Sequence, residues 1–147
     1  MRKTCKCGVT LSDTIVPNNV VFWTYKATEK NQLIKNFEGE FTDLTQIAIW
    51  YCEECKRFYY WGDDGKVYTY ALRDEEVLDY HNIDWEKDES LYYSFNDFEE
   101  EELRSEMKRT GELAIPRKIK ILENRNKIAI KSNGNEAIKL YQLENVE

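Results

Sequence analysis

Histidine is nearly missing from this chain: His81 is the single one in 147 residues. That scarcity removes most metal sites built on imidazole. It also leaves no credible Ser-His-Asp or Cys-His pair, because a nucleophile needs a base held beside it. His81 itself is expected to be an ordinary polar residue rather than a further metal ligand or a base. Proline and glycine are scarce as well, at two and six, which argues against low-complexity or disordered chain. No apolar run approaches the length of about 18 residues needed to cross a bilayer as a helix. The start, Met1-Arg2-Lys3-Thr4-Cys5, lacks the apolar stretch of a secretory leader, so a cytoplasmic location is expected. There is no glycine-rich phosphate loop and no internal repeat.

Only four cysteines occur, and they fall in two pairs, Cys5-Lys6-Cys7 and Cys52-Glu53-Glu54-Cys55. A structural zinc ion takes four soft ligands in a tetrahedron, with Zn–S of about 2.3 Å and therefore sulfurs roughly 3.8 Å apart. Cys-x2-Cys delivers two sulfurs at such a separation from one turn. Cys-x-Cys places residues i and i+2 on one face of an extended segment, and Gly8 then lets the chain turn sharply. Lys56 and Arg57 follow the second pair and can offset thiolate charge. Disulfides and a redox Cys-x2-Cys compete with zinc. Intracellular thiols stay reduced, and the redox motif opens a helix, whereas Phe58-Tyr59-Tyr60-Trp61 reads as strand. One structural Zn2+ held by Cys5, Cys7, Cys52 and Cys55 is the expectation.

Cys5, Cys7 with Gly8, and Cys52 with Cys55 resemble the zinc-ribbon family, whose two cysteine knuckles meet on antiparallel strands. The first pair departs from that pattern in its one-residue spacing, and 44 residues separate the pairs. The resemblance covers roughly the first half of the chain. It implies zinc and a fold but no activity, since ribbons serve many functions.

Twenty aromatic residues (four Trp, ten Tyr, six Phe) supply material for a core. Val20 to Tyr25 reads as a strand, and Thr28 can cap a short helix over 29–36. Ile47 to Cys52 and Arg57 to Trp61 enter and leave the second knuckle. Gly62-Asp63-Asp64-Gly65 is a turn, and Lys66 to Leu72 returns along it. Asn96 or Ser94 can cap a helix from about Asp97 to Arg109, closed by Gly111. Beyond Ile115-Pro116 the pattern has period two: Ile119 and Ile121, Ile128 and Ile130, then Ile138 and Leu140. Turns fall at Asn124-Arg125-Asn126 and Asn133-Gly134-Asn135. The expected fold is α+β in one domain: a zinc-stapled antiparallel sheet over 1–73, an acidic, partly helical segment over 74–111, and a three-stranded β-meander over 112–147. The meander is expected to bury one face and turn its lysines to solvent.

The net charge of −7 is concentrated in one place. Residues 74–107 carry fourteen acidic side chains against Lys87 and Arg104, a net of −12. Aromatics interleave with those acids, a pattern that suits either plain core or an interface with a basic protein, in which rings supply burial and carboxylates supply steering. The candidate contact residues are Asp79, Asp84, Asp88, Glu89, Glu99, Glu100, Glu101 and Glu102, with Trp85 and Tyr92 as anchors. A small, acidic, single-domain chain without a catalytic kit is similar in character to immunity proteins, or antitoxins, which cover a basic nuclease toxin. No motif identifies an immunity family. The expected function is therefore non-enzymatic neutralisation of a basic partner such as a nuclease toxin, with no membrane role. The alternatives are a zinc-ribbon regulator binding nucleic acid through Lys118, Lys120, Lys127 and Lys131, and a metal-dependent hydrolase. The first is opposed by the −12 segment, since phosphate contacts dominate nucleic-acid affinity. For the second, Asp84-Trp85-Glu86-Lys87 only superficially resembles a nuclease pattern, and glycosidase-type carboxylate pairs have no positive sign.

Overall fold

The computed structural model describes residues 2–14, 20–44, 46–77, 85, 90–132 and 138–147, with backbone alone over 74–77. Asp79, His81, Asp84, Asp88, Glu89 and the Asn133–Asn135 turn lie outside the described residues. Among the described residues ten strands run in chain order: β1 (Arg2–Thr4), β2 (Thr10–Ser12), β3 (Val21–Lys26), β4 (Gln46–Cys52), β5 (Arg57–Trp61), β6 (Val67–Val77), β7 (Leu91–Phe95), β8 (Arg117–Leu122), β9 (Lys127–Ser132) and β10 (Ile138–Val146). Helix α1 (Lys30–Phe37) follows a 3-10 turn at Ala27–Glu29, and α2 (Asp97–Thr110) follows β7. Thr28 sits inside that 3-10 turn. The residue at the N-cap of α1 is Glu29, which makes no side-chain cap bond.

The expected α+β arrangement is overturned. Eight strands close into one antiparallel barrel in the order β10-β6-β5-β4-β3-β7-β8-β9. It consists of two four-stranded meanders, β3 to β6 and β7 to β10. They are sewn together by two seams, β3 against β7 and β6 against β10. The described residues of the segment 74–111 do not form a helical layer: they hold the end of β6, all of β7, and α2. The last three strands do follow one another as a meander, but as staves of the barrel rather than a sheet packing back on it. The physical reason lies in the edges. Two separate sheets would leave four rows of unpaired N–H and C=O groups, and closure removes them.

Alternation decides what fills the barrel. One member of each strand's period-two set points inward, and the inward sets make one cluster. It draws on Phe22, Ile49, Phe58, Tyr60, Tyr68, Tyr70, Ile119, Ile128, Ile130 and Tyr141, with Tyr92 of β7 packed against it. An eight-stranded barrel has an interior just wide enough for side chains, and here aromatics take much of it. Thr24 and Ser94 share a hydrogen bond of 3.1 Å across the β3–β7 seam, both fully buried. At one end Arg117 lies over the Phe22 ring at 4.5 Å and grips Glu99 of α2 with both nitrogens, at 2.9 and 2.8 Å. At the other end Arg125 bonds Asp63 at 2.9 Å and Asp64 at 3.3 Å, tying the β8–β9 turn to the β5–β6 turn. The Tyr68 hydroxyl also bonds Asp64, and that of Tyr70 bonds the Arg125 carbonyl at 2.6 Å.

The outer face is covered in two places. Leu91, Tyr93 and Phe95 of β7, Ala129 of β9, and Ile138 and Leu140 of β10 pack against Leu33 of α1, Leu103 of α2, Leu113 and Ile115. This coverage corrects the expectation of a meander with one solvent face. Lys118, Lys120, Lys127 and Lys131 are half-buried there and engaged. Lys118 lies over Tyr93, Lys131 lies over Trp85, Lys120 bonds Ser90, and Lys127 pairs with Glu123. The second covered patch, on β3 to β5, carries the cysteines.

Candidate metal centre

Each cysteine pair is presented by a hairpin. The β1–β2 turn is tightened by Cys5 N–H donating to the Val9 carbonyl at 2.8 Å and Gly8 N–H to the Cys5 carbonyl at 2.9 Å. Gly8 has φ +97° there, a conformation that costs other residues strain. In the β4–β5 turn, Lys56 N–H donates to the Cys52 carbonyl at 2.9 Å. Lys56 takes the left-handed conformation, φ 61°, at the position equivalent to Gly8 in the first knuckle.

The four sulfurs lie within 4.8 Å of one another. Cys5 Sγ is 3.3 Å from Cys55 Sγ, and Cys7 Sγ is 3.6 Å from Cys52 Sγ. All four cysteines are free thiols. The separations bracket the roughly 3.8 Å of a tetrathiolate tetrahedron, so the donor set fits one tetrahedral metal ion. Among the described residues this is the one cluster of three or more potential metal ligands. Cys5 and Cys52 are buried, Cys55 is half-buried and Cys7 is exposed.

Support around the sulfurs comes from Arg57, which the sequence marked, and from Tyr59, Lys3 and Glu144, which it did not. The Tyr59 hydroxyl donates to Cys5 Sγ at 3.1 Å and accepts from Lys6 N–H at 3.1 Å. Lys3 lies over the same ring, 4.8 Å from its centroid. Glu144 of β10 accepts from Arg57 Nε at 2.8 Å and pairs with Lys6 at 3.7 Å, joining the two knuckles. Arg57 in turn favours the ionised form of the Cys55 sulfur. Beneath them Trp50 and Trp61 pack at 4.9 Å, in a cluster with Leu11, Val21 and Cys52. The signal for Tyr59 was parity. On β5, residues 57, 59 and 61 share the face that carries the second knuckle.

Electrostatics separates the thiols. Burial opposes ionisation of Cys5, but donors led by the Tyr59 hydroxyl and the Cys7 amide outweigh it and hold this thiol at about 6. Burial pushes Cys52 up to about 12 and raises Cys55 as well, with Arg57 opposing the latter. Without an ion, Cys5 favours the thiolate, whereas Cys52 and Cys55 favour their protonated form. A coordinated cation reverses that preference, since a ligating thiol is deprotonated outright.

The candidate contact residues are dispersed. Trp85 is 7% exposed in the outer core, and Tyr92 packs against the barrel interior. Neither presents its ring freely to solvent. Glu99 is engaged twice: besides holding Arg117, it closes a capping box with Asn96 at the start of α2. Glu100 pairs with Arg104 at 2.8 Å. Glu101 and Glu102 are exposed. Phe98 beside them is 51% exposed.

No helix among the described residues is long and apolar enough to cross a membrane. No curated protein and no solved structure matches the chain. A family model does match, over residues 1–97, a segment that contains both cysteine hairpins and the barrel strands from β3 to β7. By that match over more than half its length, the chain belongs to the family described as Domain of unknown function (DUF8617).

Proposed function

We propose that this is a non-enzymatic binding protein whose structural zinc ion staples an N-terminal hairpin to a rigid barrel, and whose acidic helix α2 docks a basic protein. Zinc is favoured over other ions by chemistry. Four thiolates form a soft, closed, tetrahedral set, which suits a structural ion and leaves no open position for a substrate. The partner we have in mind is one whose basic surface is its working surface, as in a nuclease toxin held by an immunity protein.

The observation that carries the docking reading is Phe98. It stands 51% exposed on α2 with exposed Glu101 and Glu102 next to it. An aromatic ring ringed by carboxylates suits a basic surface, with the ring as anchor and the charges giving orientation and on-rate. The helix is also held rigidly, by its capping box, by Arg117 on Glu99, and by Trp23 Nε1 donating to Asp97 at 3.0 Å. Rigid presentation lowers the ordering cost of binding. The nucleic-acid alternative loses ground, because the lysines it needs are half-buried and engaged.

The test is affinity capture of the tagged protein from its native cells at moderate salt. It is run beside a Phe98→Ala/Glu101→Lys/Glu102→Lys variant shown by circular dichroism to be folded. One stoichiometric basic protein, held by the wild type and lost by the variant, is expected. Equal capture by both, or nucleic acid as the retained species, would sink the reading.

A further inference from the structure

We propose that the cysteine quartet is a peroxide-responsive clamp, in which Cys7 is the sulfur that reacts and Cys52 the sulfur that resolves it. The inference rests on the metal reading given above. Three features of the junction lead to it. Cys7 is the exposed member of the quartet, at the tip of the β1–β2 turn, whereas Cys5 and Cys52 are 2% and 1% exposed. Sulfur oxidation is selective for thiolate character and access, and a metal-bound cysteine is a thiolate at neutral pH. Cys52 Sγ waits 3.6 Å from Cys7 Sγ, and Cys5 Sγ lies 3.3 Å from Cys55 Sγ. Both contacts cross from one hairpin to the other.

The oxidant is a hydroperoxide. The Cys7 thiolate attacks one peroxide oxygen and the O–O bond breaks. Cys7 becomes a sulfenic acid, and the departing hydroxide takes a proton to give water. The Cys52 thiolate then attacks the Cys7 sulfur, forming the S–S bond and expelling hydroxide, which is again protonated. In sum two thiolates, one hydrogen peroxide and two protons yield one disulfide and two waters. Two of the four ligands are consumed, and the ion loses its site. Because the new bond joins the hairpins, β1–β2 stays on the barrel after the metal leaves. A thiol reductant and zinc restore the starting state. The clamp thus has two closed forms, one metallated and one cross-linked.

The experiment uses the full chain, purified reduced with zinc. Hydrogen peroxide is added stepwise, and released zinc is read with a chromogenic chelator. Parallel samples are trapped with dimedone for sulfenic acid, or alkylated and mapped without reduction. The expected result is zinc release together with a Cys7–Cys52 linkage as the first disulfide, a dimedone adduct on Cys7, and recovery with dithiothreitol and zinc. A Cys52→Ser chain should leave the Cys7 sulfenic acid unresolved and raise the dimedone adduct on Cys7 several-fold. Zinc retained in peroxide excess, a first linkage between Cys52 and Cys55, or a first adduct elsewhere than Cys7 would overturn the proposal. Protein that never holds zinc would overturn the metal reading instead, and the position of the first adduct would still decide for or against Cys7.

Discussion

Tyr59 places its hydroxyl 3.1 Å from Cys5 Sγ and donates to it, while accepting from the amide of Lys6, the residue between the two cysteines of the first knuckle. One phenol therefore fixes a ligand and the backbone that carries it. Tyr59→Phe keeps the ring and removes both bonds. Partners of metal ligands typically contribute about 10–100-fold to affinity, and a loss of that size should appear in zinc competition against a chelator. Thermal stability should fall by about 1–2 kcal/mol, the cost of a buried sulfur and a part-buried amide left without the phenol.

Stripping the metal should release a hairpin, not melt the protein. Among the described residues β1 and β2 pair only with each other, whereas the barrel's eight strands close without them. Chelation, or Cys5→Ser, is expected to abolish amide-exchange protection over residues 2–12 and 53–56 and leave that of β8 and β9. Loss of protection throughout the barrel would contradict this, as would an unchanged melting temperature.

Glu144 sets a pH dependence. Arg57 bonds its carboxylate, with Lys6 assisting, and together they lower its pKa below the ordinary 4.5. A carboxylate depressed in the folded state contributes stability above its unfolded pKa and loses it as the pH falls through the folded value. The stability difference between wild type and Glu144→Gln should therefore be constant above about pH 5 and shrink toward zero in acid. Denaturant melts at a series of pH values measure it.

Arg117 is the closure of one barrel end. It makes two hydrogen bonds to Glu99 and stacks on Phe22, a geometry that lysine cannot copy. Arg117→Met should cost about 2–3 kcal/mol by leaving a half-buried carboxylate unpaired. Adding Glu99→Gln should recover part of that loss in a double-mutant cycle.

Lys56 invites a change in the opposite direction. Its φ of 61° costs a residue with a Cβ about 1 kcal/mol. Lys56→Gly should raise the melting temperature of the zinc-loaded protein while leaving metal stoichiometry at one.

The cysteine quartet was legible because a tetrahedral ion dictates spacing, and spacing survives in sequence. So were most strands, since half-buried β structure alternates, and α2, since Asn96, Glu99 and Gly111 mark its ends. Closure was not legible. The β3–β7 and β6–β10 seams join residues such as Tyr25 with Tyr93 and Tyr70 with Leu143, and no local pattern encodes a pairing so remote. The same alternation served two faces: Ile138 and Leu140 look outward to the helices, Tyr141 inward to the aromatic core. A code of buried against exposed could not separate inside the barrel from under a helix. Trp85 and Tyr92 illustrate the cost, since rings amid acids read equally as anchors or as core, and burial alone decides.

The two seams also bear on the segment that the family model matches. Residues 1–97 stop just after β7, so the matched portion is a five-stave shell bounded by β6 on one side and β7 on the other. Three further strands, β8 to β10, bridge those two margins in this protein. A chain cut at Asp97 would bare both margins and should self-associate, as open strand edges do. The matched segment thus carries both cysteine hairpins but only five of the eight staves that close the barrel.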